Sequence, residues 1–432
     1  MIVLSGAEVV LPDRVLSPGT VIIDEGRIVD VKSSAAAAGS GSNFAFHGHY
    51  IVPGFIDVHV HGLDGIDTLN SPSSVSDLAR RMPRFGVTGF CPTTVACAPN
   101  ALRDVLEQVR RSREAPDPTA ARVLPAHLES NFISEDYKGA QPLACLRNPQ
   151  LALTGWAGRA GTAGKAGGAG RAGGAGRAGG AEGAGGAGTA GEATGFDAAD
   201  VLREIERGAP DIAIVTMAPE LDGGFDLVHW LLERGLRVSL GHSGATYEEA
   251  MAAIAAGARH ATHLFNRMPP LGHRHPGLVG AVLQSEEVAA ELICDGVHVH
   301  PALVRMVVAA KRPSRLMAIT DGTAGAGLPV GALAKLGDHT ITVRESAAFL
   351  ADGTLAGSVL TMDRAFEMLV ARVGVSPVEA AMMCATTPAR ELGLVGHGVI
   401  ARDAVADLVV LDANFSVVQT YVSGQLVYAR AA

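Results

Sequence analysis

Between residues 53 and 321 the apolar residues fall in short runs bounded by glycine, proline and polar positions. Eight runs read as buried strands: 55–60, 87–94, 122–129, 212–218, 236–242, 260–264, 289–295 and 315–321. Most are separated by stretches of helical period, such as SVSDLARRMPRFG and TYEEAMAAIAAG. Apolar strands alternating with amphipathic helices predict a parallel sheet covered on both faces. Eight such units predict a (β/α)8 TIM-type barrel. A helix-rich stretch, 360–392, follows the last strand and is expected to pack outside it.

The chain ends have a different texture. VIIDEGRIVDV reads as a hairpin turning at Glu25-Gly26, and residues 407–428 alternate and turn at Ala413-Asn414 and Ser423-Gly424. Neither end is large enough for a core alone. A small β-sandwich domain formed from both termini, 1–52 and 393–432, is the economical expectation, with the barrel over 53–392. Residues 155–195 are almost wholly Gly and Ala, and from Gly155 to Gly179 glycine falls at every third position. The run holds no proline and its register breaks at Glu182, so a triple helix has little support. A flexible, solvent-exposed insertion between the third and fourth strands is expected.

A net charge of −9 lacks the basic face that nucleic acid requires. The five cysteines are odd in number and show no CxxC spacing, which argues against a thiolate metal site and for a reducing compartment. The N-terminus lacks a signal-peptide pattern, and no run approaches the ~20 apolar residues of a membrane span. A cytoplasmic protein with no membrane partner is expected.

The chemistry gathers at the strand ends. The first barrel strand finishes FIDVHVHG, where His59 and His61 are two apart and point to one side. The third finishes at Glu129, the fifth at His242, the sixth at His263 and the eighth at Asp321. Barrels of this type place catalytic groups at the C-terminal ends of their strands, so six metal-competent side chains would converge on one mouth. A lone histidine is more often a hydrogen-bonded structural residue, and His127, His260 and His300 are read that way. Imidazole and carboxylate without thiolate suit Zn²⁺, with Fe, Mn or Co as alternatives, at one or two ions per chain. Such an ion lowers the pKa of bound water to about 7, and a neighbouring carboxylate can pass a proton to a leaving amine. Asp321 suits that role, and Glu129 suits a ligand that bridges two ions. The reaction class is metal-assisted hydrolysis of an amide-like bond.

These residues resemble the amidohydrolase superfamily and, more narrowly, the N-acetylglucosamine-6-phosphate deacetylases. The resemblance is carried in order by PGFIDVHVHG (53–62), AHLE (126–129), VTMAPE (215–220), LGHSGAT (240–246), ATHLFN (261–266), RHPG (274–277), CDGVHVH (294–300), TDGT (320–323) and LAGSVLTM (355–362). It implies that Glu129, His242 and His263 hold the main metal, that Asp321 is the acid/base, and that His59 and His61 favour a second ion. It further implies that Asn266, Arg274 and His298 contact a phosphorylated N-acetyl amino sugar, the arginine arriving from the other subunit of a homodimer. The family usually writes HLEGPF where this chain has HLESNF, a histidine where Gln141 stands, and alanine where Arg267 stands. These departures predict an intact metal site and an altered substrate-facing shell. The hexosamine stays open between N-acetylglucosamine and N-acetylgalactosamine phosphates, and an N-acyl amino acid remains an alternative. A non-catalytic barrel scaffold would be expected to lose ligands, and none is lost here.

Overall fold

The computed structural model describes residues 1–33, 42–163, 195–345 and 347–431. Its centre is a ring of parallel strands: Phe55–Val60, Val87–Thr94, Ala126–Glu129, Ile212–Met217, Arg237–Leu240, His260–Ala261, Ala289–Ile293 and Leu316–Ile319. Each neighbouring pair from first to eighth is hydrogen-bonded in parallel. The ring closes where His61 N–H donates to Gly322 O at 2.8 Å and Asp321 N–H donates to His59 O at 2.9 Å. The buried carboxyl of Asp57 reinforces that seam, accepting from Thr320 Oγ1 at 2.6 Å.

Seven of the eight strands are buried along their whole length, as a parallel sheet covered by helices requires. The covering helices bury one stripe each. Helix Pro99–Glu114 turns Leu102, Val105, Leu106 and Val109 inward, a spacing of three, one and three residues that keeps them on one face. Helix Tyr247–Ala256 begins at a capping box in which Thr246 and Glu249 satisfy each other's backbone donors.

The predicted strands differ from the observed ones at their ends. The 122–129 run is two pieces, Arg122–Val123 and Ala126–Glu129, because Pro125 has no N–H to give the ladder. The fifth, sixth and eighth strands stop at Leu240, Ala261 and Ile319, so His242, His263 and Asp321 lie just beyond the ladder.

Both termini share one sheet, ordered Gln425–Ala429, Val417–Val422, Leu408–Leu411, Tyr50–Pro53, Ile2–Val10, Val15–Asp24, Arg27–Lys32, with Ser42–Ala45 beside Ile2–Val10. Its core draws Leu4, Val21, Ile28 and Ile51 from one end of the chain and Leu408 and Tyr421 from the other. The hairpin turns at Glu25 and Gly26, with φ of 46° and 77°, the left-handed pair of a tight hairpin turn. Tyr50–Pro53 pairs with Leu408–Leu411 and leads straight into the first barrel strand, which welds this sheet to the barrel.

Two further differences stand out. A small antiparallel sheet, Leu333–Leu336, His339–Val343 and Ala348–Phe349, follows the eighth strand and packs Leu336, Ile341 and Ala348 against Val95. The alternation of LAKLGDHTITV around Gly337-Asp338 was its signal. The Gly/Ala tract also begins later than expected: residues 155–163 complete helix Pro149–Ala163. Trp156 anchors it edge-on to Trp230, with ring centroids 5.8 Å apart. The rest of the expected insertion, 164–194, lies outside the described residues.

Candidate metal centre

Three site residues leave their strands through backbone that non-glycine residues rarely adopt. His242, His263 and Asp321 have φ of 47°, 30° and 47°. Each such conformation costs on the order of 1–3 kcal/mol and persists only where the surroundings impose it. Here it turns the side chain from the wall of the ring toward its axis. Hydrogen bonds hold the turns: Ser134 N–H donates to His242 O at 3.0 Å, and Ser358 N–H to Asp321 O at 2.9 Å.

The six side chains meet. Glu129 Oε1 lies 3.0 Å from His242 Nε2 and 2.9 Å from His263 Nε2, which are themselves 3.1 Å apart. His59 Nε2 and His61 Nε2 are 3.2 Å apart. They lie 3.6 and 3.4 Å from the two oxygens of Glu129, and 3.4 and 3.3 Å from Asp321 Oδ1. Glu129 thus stands between a strand-one pair and a pair from strands five and six. Two triads have ligand atoms close enough to hold an ion, Glu129–His242–His263 and His59–His61–Glu129.

The donor set fits a cation. His242 donates its Nδ1–H to Tyr137 O at 2.8 Å, which leaves the Nε2 lone pair aimed at a carboxylate oxygen. His59 is oriented likewise, with Nδ1 2.9 Å from Glu291 Oε2. Lone pairs facing lone pairs in a buried pocket call for a positive charge between them. The electrostatics agree. Burial alone would raise Glu129, yet the histidines, His242 first, hold it well below the carboxylate range. Burial likewise opposes the ionisation of Asp321, but His59 and His61 keep it below its ordinary value. Burial works to lower His61, but hydrogen bonds with Asp321 and Glu129 raise it to about 10. A proton there does in part what a divalent ion would do better.

The cluster forms the floor of a pocket of about 410 Å³, within the range of small-molecule sites. Gln141, Asn266, Arg267 and His298 also line it.

A model of the amidohydrolase family matches residues 182–427. The chain is 34% identical to the N-acetylglucosamine-6-phosphate deacetylase of Mus musculus, over 96% of this chain and 90% of that one. The chain belongs to the amidohydrolase family. It is also 31% identical to the N-acetylgalactosamine-6-phosphate deacetylase of Escherichia coli O157:H7, over 87% of each chain. Among solved structures, a mutant of the Mycobacterium smegmatis N-acetyl-D-glucosamine-6-phosphate deacetylase, bound to N-acetyl-D-glucosamine-6-phosphate, matches with a TM-score of 0.81. That match has 28% identity and covers 99% of both chains.

Set against this amidohydrolase frame, the departures in the substrate-facing shell sort differently from expectation. Ser130 and Asn131 do not line the pocket. Ser130 Oγ donates to Thr216 O at 2.6 Å, and Asn131 donates to Cys97 O and Cys145 O at 2.8 and 2.7 Å. They tie the loop after strand three to its neighbours. Gln141 does line the pocket, but its amide donates to Glu129 Oε2 and its carbonyl accepts from Ala96 N–H at 2.7 Å, so it holds the Glu129 carboxylate. Arg274 sits exposed in a loop and does not line the pocket of its own chain. Asn266 and His298 do, with His298 Nδ1 braced by Asp295 at 2.6 Å.

Among the three histidines read as structural, His300 caps helix Pro301–Lys311, accepting from Ala302 N–H at 3.2 Å. His260 lies 3.4 Å from Glu391. His127 belongs to a third buried group with His59 and Glu291. It bonds to Val58 O and Thr216 Oγ1 at 3.0 and 2.8 Å. Glu291 was missed. Its signal was a carboxylate inside the apolar strand AAELI, where only a buried partner could justify it.

Proposed function

We propose that this amidohydrolase deacetylates N-acetylglucosamine-6-phosphate, giving glucosamine-6-phosphate and acetate. The observation that carries the reading is the Glu129–His242–His263 triad on the floor of a sugar-sized pocket, with Asp321 beside it. The names of the mouse and mycobacterial relatives support the substrate. In this reading Glu129, His242 and His263 hold the main ion, and His59 and His61 share a second with Glu129. Zn²⁺ suits this nitrogen and oxygen set; when bound, the ion supplies an activated water and polarises the acetyl carbonyl. Asp321 Oδ1 takes the proton of the attacking water and delivers it to the departing amine. Gln141 fixes the orientation of Glu129, while Asn266 and His298 contact the sugar phosphate.

The E. coli relative favours one second reading, N-acetylgalactosamine-6-phosphate as substrate. The terminal β domain takes residues 1–52 and 393–432, and the barrel takes 53–392. A homodimer, in which Arg274 reaches the partner's pocket, accounts for that arginine's exposure. A cytoplasmic setting is supported by five buried, unpaired cysteines. Among the described residues no helix is long and apolar enough to cross a membrane.

The decisive experiment measures acetate release from N-acetylglucosamine-6-phosphate, N-acetylgalactosamine-6-phosphate, their unphosphorylated forms and N-acyl amino acids, with metal content assayed on the same preparation. Turnover of N-acetylglucosamine-6-phosphate above the others is expected, with one or two ions per chain. Preference for an N-acyl amino acid, or protein free of metal after growth with added Zn²⁺, rules the reading out.

A further inference from the structure

We infer that Arg267 is a further phosphate-binding residue of this pocket, acting beside Asn266 and His298 and supplied by the same chain that supplies the metal ligands. The inference deepens the function proposed above and rests on it for the identity of the ester. Arg267 is the only lysine or arginine among the described residues that line the pocket. Among the described residues it forms no salt bridge, although Asp136 lines the same pocket. Its Nη2 donates to Leu355 O at 3.1 Å, and no described protein acceptor meets Nε or Nη1. A guanidinium offers five N–H donors in a planar fork that matches phosphate oxygens, so most of this fork is available to a ligand.

The side chain is also aimed. Arg267 has φ of 53° and follows Phe265 at 79°, so the chain spends backbone strain to present this residue. Its carbonyl is pinned by Ser243 N–H at 3.2 Å, next to the ligand His242. The guanidinium then lies across Gly139, whose φ is 60°; a Cβ there would stand 2.4 Å from Nε. A side chain at 139 would push the guanidinium from this position, and the positive φ there favours glycine in any case. Arg274, by contrast, is exposed and outside its own chain's pocket.

The test compares wild type, Arg267→Ala and Arg267→Lys as intact metal-loaded protein, on N-acetylglucosamine-6-phosphate and N-acetylglucosamine. The readout is the ratio of the two kcat/KM values. Loss of charge-assisted hydrogen bonds predicts that Arg267→Ala lowers this ratio about 10- to 100-fold, chiefly through KM for the phosphorylated sugar. Arg267→Lys, a point charge without the fork, is expected to fall between. An unchanged ratio, or an equal fall on both sugars, overturns the assignment. If wild type cleaves neither sugar, the proposed function fails on its own. Calorimetric binding of glucosamine-6-phosphate against glucosamine then decides the arginine. Phosphate-dependent binding that Arg267→Ala abolishes upholds it, and wild-type binding indifferent to the phosphate overturns it.

Discussion

At the scale of single residues, the centre works by denying its side chains any other partner. Asp321 has its backbone bonded on both sides, to His59 O and from Ser358 N–H, so its carboxylate has one place to point. Replacing it by asparagine keeps the shape and removes the proton carrier. Asp321→Asn is expected to lower kcat about 10²- to 10⁴-fold while metal content stays at the wild-type value; an unchanged kcat removes Asp321 from the chemistry. Glu291 acts one step further back. It fixes the ring of His59 from beneath and is itself wholly buried. Outer partners of ligand histidines are worth about 10- to 100-fold in metal affinity. Glu291→Gln should therefore release an ion at lower chelator concentration than wild type, as metal analysis after graded dialysis would record. Equal retention by both proteins would show that His59 needs no such support.

At the scale of elements, the loop from Ser130 to Cys145 matters more than its length implies. It leaves strand three at Glu129, delivers Tyr137 O to His242 and Gln141 to Glu129, and lays Gly139 beneath Arg267. Asn131 fastens it through two buried carbonyls, Cys97 O and Cys145 O. Asn131→Ala strands both acceptors and is expected to cost about 2–4 kcal/mol in denaturant unfolding. A cost below about 0.5 kcal/mol, that of an ordinary surface change, would mean the loop is held elsewhere. Ser130, Asn131 and Gln141 look like substrate-side changes when seen as departures in a motif. In the fold, two of them bind backbone and the third binds the Glu129 carboxylate, because only the packing of this loop against strand four and the segment after strand two decides what each side chain meets.

At the scale of the whole molecule, the terminal sheet and the barrel are joined by continuous strands and by contacts such as Gly54 N–H to Asp407 O at 2.8 Å. The proposed dimer adds a test of its own. If Arg274 serves a neighbouring pocket, Arg274→Ala and Asp321→Asn lie in different half-sites. Refolding or exchanging the two weak variants together should then restore activity, to about a quarter of the wild-type level for random pairing with one intact site per mixed dimer. Activity of the mixture equal to the mean of its parts would place Arg274 outside any shared site. The eight strands, their alternation with helices and the six converging side chains were legible from period and spacing, because burial on both faces imposes apolar runs and ring closure brings strand ends together. The small sheet at 333–349 was passed over: LAKLGDHTITV alternates, but strands this short carry a weak signal beside the long apolar runs of the barrel. The sequence by itself determined the barrel, the pairing of the two termini and the donor chemistry of the centre, all consequences of local pattern. Only the tertiary structure decided that Glu291 sits behind His59, that Gln141 holds Glu129, and that Arg267 faces the pocket while Arg274 does not. Those facts depend on which distant backbone each side chain meets, and no local pattern encodes that meeting.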